Sequence, residues 1–387
     1  MKSTVRNNIM YSKPINIGNL KIKNRFVRSA TYEGMATEEG HVTDQLIELY
    51  KKLAEGGVGL IITGYTYIQK SGISFDKQMG IYDDELISNL QKIADIVHEY
   101  GHGCKVIKQI VHCGRQSRHL ESTLAPSAIL ESLTNKMPKE MTLADIKQTI
   151  EAFAQAVRRA KQAGFDGVQL HGAHGYLISE FLSPYTNKRS DDYGGSTENR
   201  VRFVEDIYKR SVELVGRDFP ILIKMNGVDF LEGGVTIEES KKIAKKLEEL
   251  GIAAIEVSGG MWEVCKLSKK ELGWKATFIP ESRMFVGTKN NPAYNLPFAK
   301  EIKKEIDIPV IVVGGINSLD LVEQILKEKG ADLIAFSRPL IREPDLPNRW
   351  LKGIGNRTVE CEYCNGCLSS LINTGLRCVK KEPQAQE

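Results

Sequence analysis

The chain has 387 residues, 41% of them hydrophobic and 26% charged, which supplies a buried core and excludes a chain disordered along its length. The formal net charge is +4 with both signs interspersed, so no basic face marks a nucleic-acid partner, and no apolar run reaches membrane-spanning length. Residues 1–18 lack the basic-then-apolar pattern of a signal peptide, and the expected compartment is the cytoplasm.

Taken in chain order, short β-branched runs alternate with helical patterns, as in parallel strands joined by crossover helices. The runs are 25–31, 58–65, 105–112, 166–171, 221–227, 253–259, 309–314 and 332–337. Before the fourth run, Thr142 and Asp145 have the spacing of a capping box, Ile146, Ile150, Phe153, Ala154 and Val157 share one face, and Gly164 stands where the helix should stop. Eight such units predict a (β/α)8 TIM barrel over residues 1–345, followed by a cysteine-rich tail over 346–387. No G-x-G-x-x-G occurs, which argues against a separate dinucleotide-binding domain.

Barrels place their chemistry at the C-terminal ends of the strands, and those ends are polar throughout. The first run closes in Ser29-Ala30-Thr31 and the second in Gly64-Tyr65. The third carries Gln109 and His112, the fourth leads into His171 and His174, and the fifth carries Lys224. The sixth ends in Ser258-Gly259-Gly260, the seventh in Gly314-Gly315 and the eighth in Ser337-Arg338. Glycines after strand seven and an arginine after strand eight occupy the two loops that barrels use for phosphate. A flavin held there needs partners along its pyrimidine edge, where charge develops on reduction. Gln109 and Lys224 suit that edge, the alternative for Lys224 being an internal ion pair or a solvated barrel lysine.

Residues 171–203, HGAHGYLISEFLSPYTNKRSDDYGGSTENRVRF, strongly resemble the old yellow enzyme family of FMN-dependent ene-reductases. The likeness extends to KNRFVRSAT, KQIVHCGRQS, APSAI, IKMNGVDF, IPVIVVGGI and FSRPLIREPDLPN, in the order the barrel requires. It implies that NAD(P)H reduces a bound FMN, which passes hydride to an activated alkene of enone or enoyl type. By the same likeness His171 and His174 bind the substrate carbonyl and Tyr176 donates the proton. Ser29, Ala30, Thr31, Gly64, Gln109 and Lys224 would surround the ring system, while Gly314, Gly315, Ser337 and Arg338 hold the phosphate. Most members carry arginine where this chain has Lys224, a change that keeps the charge and loses the planar fork.

Cys361-x-x-Cys364-x-x-Cys367, with Cys378 further on, has the spacing of thiolates gathered on one centre. Spacing alone leaves [4Fe–4S], Zn(Cys)4 and free thiols open. A similar run at this place in the branch of 2,4-dienoyl-CoA reductase and trimethylamine dehydrogenase binds [4Fe–4S], so the resemblance implies an iron–sulfur cluster. Those larger proteins continue into a nucleotide domain, whereas this chain ends soon after Cys378. Electrons are therefore expected from NAD(P)H directly or from an electron-transfer protein. The long segment 261–297 carries Trp262, Trp274, Phe278, Met284, Phe285 and Tyr294, which either shape a flat apolar substrate or anchor the loop. A small-molecule substrate is the expected partner, and homo-oligomerisation is left open. Two other classes remain: an amine dehydrogenase or demethylase, for which the carbonyl-binding pair fits poorly, and an electron-transfer subunit using the cysteine tail.

Overall fold

The computed structural model describes residues 9–276, 281–286, 292–371 and 374–381. Eight parallel strands close on themselves: β1 (Phe26–Arg28), β2 (Leu60–Ile62), β3 (Lys105–Val111), β4 (Gly167–Gly172), β5 (Ile221–Asn226), β6 (Ile255–Ser258), β7 (Val310–Val313) and β8 (Leu333–Phe336). Each pairs with the next, and β8 returns to β1 through Ala335 opposite Val27. Every strand overlaps its predicted run. The ladders of β1 and β2 stop three residues before the run's end and the other six within one residue of it, where the chain turns outward to build the loops of the site.

Register decides which polar side chains become neighbours. Gln109 on β3 lies opposite Gln169 on β4, and Lys224 on β5 lies between His171 on β4 and Glu256 on β6. Below this polar layer the barrel interior is apolar, with Val27, Leu60, Ile107, Leu222, Ile311 and Leu333 in one cluster. A two-stranded hairpin, Ile15–Ile17 with Leu20–Ile22, adds the fully buried Ile17 and Ile22 to that cluster and closes the N-terminal end.

The outer helices are α1 (Asp44–Glu55), α2 (Ile87–Tyr100), α3 (Leu143–Gln162), α4 (Thr197–Val215), α5 (Ile237–Leu250), α6 (Leu296–Lys303), α7 (Leu319–Lys327) and α8 (Leu346–Lys352). Helix α3 begins at the expected box: the Thr142 hydroxyl caps Asp145 N–H while the Asp145 side chain accepts from the Thr142 N–H. It ends at Ala163, and Gly164 follows with φ +80°, a left-handed position that glycine takes without strain. Its apolar face presses Phe153 edge-on against Phe203 of α4, ring centroids 6.2 Å apart. Truncating Phe153 to Ala would cost about 3–5 kcal/mol. Helix α8 returns to the barrel through Trp350, buried 5.9 Å from the Phe26 ring and 5.8 Å from Phe336. Among the described residues no helix is long and apolar enough to cross a membrane.

Candidate active site and cysteine pocket

A cavity of about 920 Å³ opens at the C-terminal ends of the strands, where barrels carry their sites. Ser29, Ala30, Thr31, Gln109, His171, His174, Tyr176, Lys224, Gly314, Gly315, Ser337 and Arg338 all line it. Gly64 does not: its N–H donates to the Glu33 carboxylate at 3.0 Å, and a Cβ there would lie 2.0 Å from Glu33 Oε2.

The floor is a hydrogen-bonded layer. Lys224 Nζ donates to Ser29 Oγ at 3.0 Å and sits 3.2 Å from Glu256 Oε1, which also accepts from Ser29 Oγ at 2.6 Å. Glu256 Oε2 accepts from Gln169 Nε2 at 2.9 Å, and Gln169 Oε1 accepts from Gln109 Nε2 at 2.7 Å. Lys224 is thus a member of an internal ion pair, one of the sequence alternatives, and at the same time a cation in the cavity wall. Thr31 Oγ1 and Ser337 Oγ lie 2.8 Å apart, which ties the loop after β1 to the loop after β8.

At one end Gly314 and Gly315 turn with φ +118° and +69°. A Cβ on Gly315 would come within 2.8 Å of Val286 and 2.9 Å of the Tyr294 ring, so glycine is required by both backbone and packing. Arg338 is buried over the Tyr363 ring at 4.7 Å, and its Nη1 donates to Asn365 Oδ1 at 2.6 Å and to the Arg283 carbonyl at 2.7 Å. These contacts fix the guanidinium in the wall of the cavity that the glycine turn also lines.

At the other end the rings of His171 and His174 stand perpendicular with centroids 5.1 Å apart, and the Tyr176 ring lies 4.8 Å from His171. His174 takes a left-handed backbone, φ +64°, clamped by Asn226 Oδ1 accepting its N–H at 3.1 Å and by Gln116 Nε2 donating to its carbonyl at 2.9 Å. Burial holds both imidazoles well below their ordinary pKa, assisted by the Lys224 charge and, for His171, by His174. They are neutral at pH 7, each with one N–H to give. His171 Nδ1 is buried with no hydrogen-bond partner among the described residues, and His174 Nε2 is 2.6 Å from Ser258 Oγ. Burial raises the Tyr176 phenol above its ordinary range and keeps it protonated; its hydroxyl lies 3.4 Å from that of Tyr65. Tyr65, Tyr32, Phe75 and Trp262 continue the aromatic wall. The described aromatics of the segment 261–297 divide between the cavity and the surrounding fold. Trp262, Met284 and Tyr294 line the cavity, while Trp274 packs edge-on against Phe230 and Phe285 is exposed. Phe278 lies outside the described residues.

Cys361, Cys364, Cys367 and Cys378 are free thiols that line one small cavity beside Arg338 and Arg342. Cys364 and Cys367 also line the large cavity. Arg342 Nη1 lies 3.8 Å from Cys378 Sγ. As they stand, no three His, Cys, Asp or Glu side chains among the described residues are drawn together tightly enough to hold a metal ion. The tail is fastened to the loop after β1 and to α1: Leu376 N–H donates to the Glu33 carbonyl at 2.8 Å, and Gln45 Nε2 of α1 donates to the Thr374 carbonyl at 3.2 Å.

Residues 12–356 match the family described as NADH:flavin oxidoreductase / NADH oxidase. The chain belongs to this family. It is the old yellow enzyme family that residues 171–203 resemble, and the chain is an oxidoreductase of it. An NADH oxidase of Thermoanaerobacter brockii is 39% identical over 374 residues, 94% of this chain and 54% of that protein. An NADPH dehydrogenase of Geobacillus sp. (strain WCH70) is 38% identical over 347 residues, 89% of this chain and 95% of that protein. A solved 2-naphthoyl-CoA reductase in complex with 2-naphthoyl-CoA superposes with TM-score 0.85 at 30% identity, covering 95% of this chain and 56% of the other. The chain thus spans about half the length of the first and third of these proteins.

Membership in the family explains the cavity but not every residue in it. Glu256, Gln169 and Glu281 escape sequence reasoning. Glu256 left one signal, a carboxylate in the middle of an otherwise apolar strand, and Gln169 a similar one in G-V-Q-L-H. Glu281 sits in the segment after β6 and reaches the cavity beside His174, Oε1 3.9 Å from Nδ1. Burial pushes its carboxyl up to about 7, with Lys224 and Arg338 opposing the shift, and its Oε2 has no partner among the described residues.

Proposed function

We propose that this protein is an FMN-dependent reductase that uses NAD(P)H to reduce an activated alkene conjugated to a carbonyl. The observation that carries the reading is the layout of one cavity. An arginine and a glycine turn stand at one end, two neutral imidazoles and a protonated phenol at the other, and a polar floor with a lysine lies between. The donor set fits FMN: Arg338, Ser337, Gly314 and Gly315 would hold its phosphate, and Ser29, Ala30, Thr31, Gln109 and Lys224 its ring system, while Gly64, turned toward Glu33, is left out of the set. Bound FMN would supply hydride to the β-carbon of the substrate.

The chain's own groups account for the rest. Negative charge builds on the substrate carbonyl oxygen as hydride arrives, and the N–H groups of His171 and His174 would stabilise it in a site shielded from water. Neutral imidazoles suit this task, since each offers a donor and neither must lose a proton. Tyr176, kept protonated by burial, would deliver its proton to the carbon beside the carbonyl. The aromatic wall suits a flat substrate, in keeping with the naphthoyl thioester bound by the structural relative.

The four cysteines fit a [4Fe–4S] cluster in donor type, number and common cavity, and such a cluster would supply single electrons at the wall shared by Cys364 and Cys367. Its electrons would come from NAD(P)H by way of FMN or from an electron-transfer protein. A second reading, an amine dehydrogenase, draws support from Glu281 beside Tyr65, Tyr176 and Trp262, because aromatic faces and a carboxylate suit an ammonium group.

Anaerobic absorbance spectroscopy followed by stopped-flow assay of each half-reaction tests these readings. Flavin bands, bleaching by NAD(P)H and reoxidation by an enone or enoyl thioester are expected. Purified protein that neither carries nor takes up FMN would leave only an electron-transfer role. Bleaching by amines, with no response to alkenes, would favour the dehydrogenase.

A further inference from the structure

We infer that Glu256, which does not itself line the cavity, is the positioning residue that sets both the charge and the hydrogen-bond polarity of the flavin-facing floor. The inference rests on the proposed FMN site and extends it to a side chain on β6.

Glu256 is fully buried, and each of its oxygens is engaged. One faces Lys224 at 3.2 Å and Ser29 Oγ at 2.6 Å; the other faces Gln169 Nε2 at 2.9 Å. A carboxylate in an ion pair only accepts hydrogen bonds. Gln169 must therefore turn its NH2 toward Glu256 and its carbonyl toward β3. Gln109, meeting that carbonyl at 2.7 Å, must in turn present its own NH2. The relay uses one N–H of Gln109 and leaves its Oε1 and second N–H for the cavity it lines. An amide so held offers an acceptor and a donor side by side in one fixed sense, which matches the adjacent N–H and C=O of a flavin pyrimidine edge. Without the carboxylate, nothing at the far end of the relay chooses between the two orientations of either amide.

The same residue governs charge. Lys224 would face the edge of the flavin that gains electron density on reduction. With Glu256 at 3.2 Å it faces that edge as half of an ion pair, and part of its field is cancelled. Lysine permits this arrangement, because a single ammonium can serve Ser29, Glu256 and the cavity together, whereas a planar fork would be committed by its geometry. Glu256 would thus hold the midpoint potential of FMN below the value that Lys224 alone would confer.

The test is the midpoint potential and the dissociation constant of FMN, measured in the whole protein for Glu256→Gln, Glu256→Asp and Gln169→Leu. Glu256→Gln removes the charge and the fixed polarity. The balance between oxidised and reduced FMN should move at least tenfold toward reduced, about 30 mV for a two-electron couple. Glu256→Asp keeps both properties and should return most of the way to the wild-type potential. Gln169→Leu cuts the relay and spares the ion pair, so FMN should bind about fivefold more weakly, the worth of one misaligned hydrogen bond, with little change in potential. If Glu256→Gln fails to fold, Gln169→Leu still tests the relay, and the uncharged, similarly sized Glu256→Met tests the charge. A wild-type protein that binds no FMN would overturn the proposed function and this inference together. FMN bound normally, with potential and affinity the same in wild type and every folded variant, would overturn the inference alone.

Discussion

On one side of the cavity the functional groups rise from strands. Lys224, Gln109 and Ser29 reach one another through Glu256 and Gln169, and all five are buried. On the other side they hang from connecting segments, as the cysteines do, and Tyr294, Arg283, Tyr363 and Asn365 are held by backbone carbonyls, a side-chain amide and cation–ring contacts. The strand side is suited to stabilising charge, since its dipoles are fixed before any substrate arrives and cost no reorganisation during reaction. The loop side can change its sequence without disturbing the barrel, and it is where the chain places its aromatic selectors and its thiols. If the division is real, damage to the loop side should remove a component and leave the rest working, whereas damage at the strand ends should slow one chemical step.

The largest effect is expected in the tail. Cys364→Ser removes one of four thiols around the small cavity and should abolish the iron and sulfide of anaerobically prepared protein. FMN should remain, because most of the contacts proposed for it lie on the strand side. Stoichiometric zinc without iron in the wild type would rule out the iron–sulfur assignment, and loss of FMN together with iron would break the division of the two walls.

Next in size is the proton donor. Tyr176→Phe keeps the ring against His171 and Tyr65 and removes only the transferable proton. Reoxidation by an alkene should slow by about 10²–10⁴, while bleaching by NAD(P)H stays near the wild-type rate. Equal slowing of both half-reactions would assign Tyr176 to nicotinamide positioning instead. A smaller effect is expected from Arg338→Ala, which removes a charge-assisted contact worth about 1.5–3 kcal/mol and should weaken FMN binding by about 10- to 150-fold. Equilibrium dialysis showing unchanged affinity would move the phosphate site elsewhere.

Much of this architecture was legible in the sequence, and the reason is periodicity. A strand buried on both faces reads as a β-branched run, and Thr142, Asp145 and Gly164 mark the ends of α3 through local hydrogen bonding and backbone freedom. Candidate site residues were legible because a barrel carries its chemistry at the C-terminal strand ends, and polar groups there at all eight ends are hard to assign to caps alone. The partnership of Lys224 with Glu256 was not, since it depends on the register of β5 against β6, and both residues look like isolated charges in an apolar run. The same holds for the seat of the cysteine tail on Glu33, where a backbone N–H meets a backbone carbonyl and no side chain announces the contact. The role of 261–297 was only half legible, because aromatic content cannot say which rings face the cavity and which pack against Phe230 or solvent.

The smallest effect concerns a histidine of the strand side that takes no part in the reaction. His112 follows β3, is fully buried, and accepts the Gly114 N–H on Nδ1 at 3.1 Å, so it is held as the neutral ring. Burial lowers its pKa to about 3, against an ordinary value of 6.5. The folded pKa is depressed, so the stability it contributes is fully present above pH 6.5. It is lost as the pH falls toward 3, because the unfolded chain takes up a proton that the folded chain refuses. By pH 5 this group alone should have cost about 2 kcal/mol. His171 and His174 share the direction of the shift and should add to the loss. His112→Asn keeps an acceptor for the Gly114 N–H and removes the titration. Its urea midpoint should be lower than that of the wild type at pH 7 and should fall less steeply between pH 7 and 5. Parallel curves for the two proteins would show that His112 is not held neutral, and that the strand side is less dry than its geometry implies.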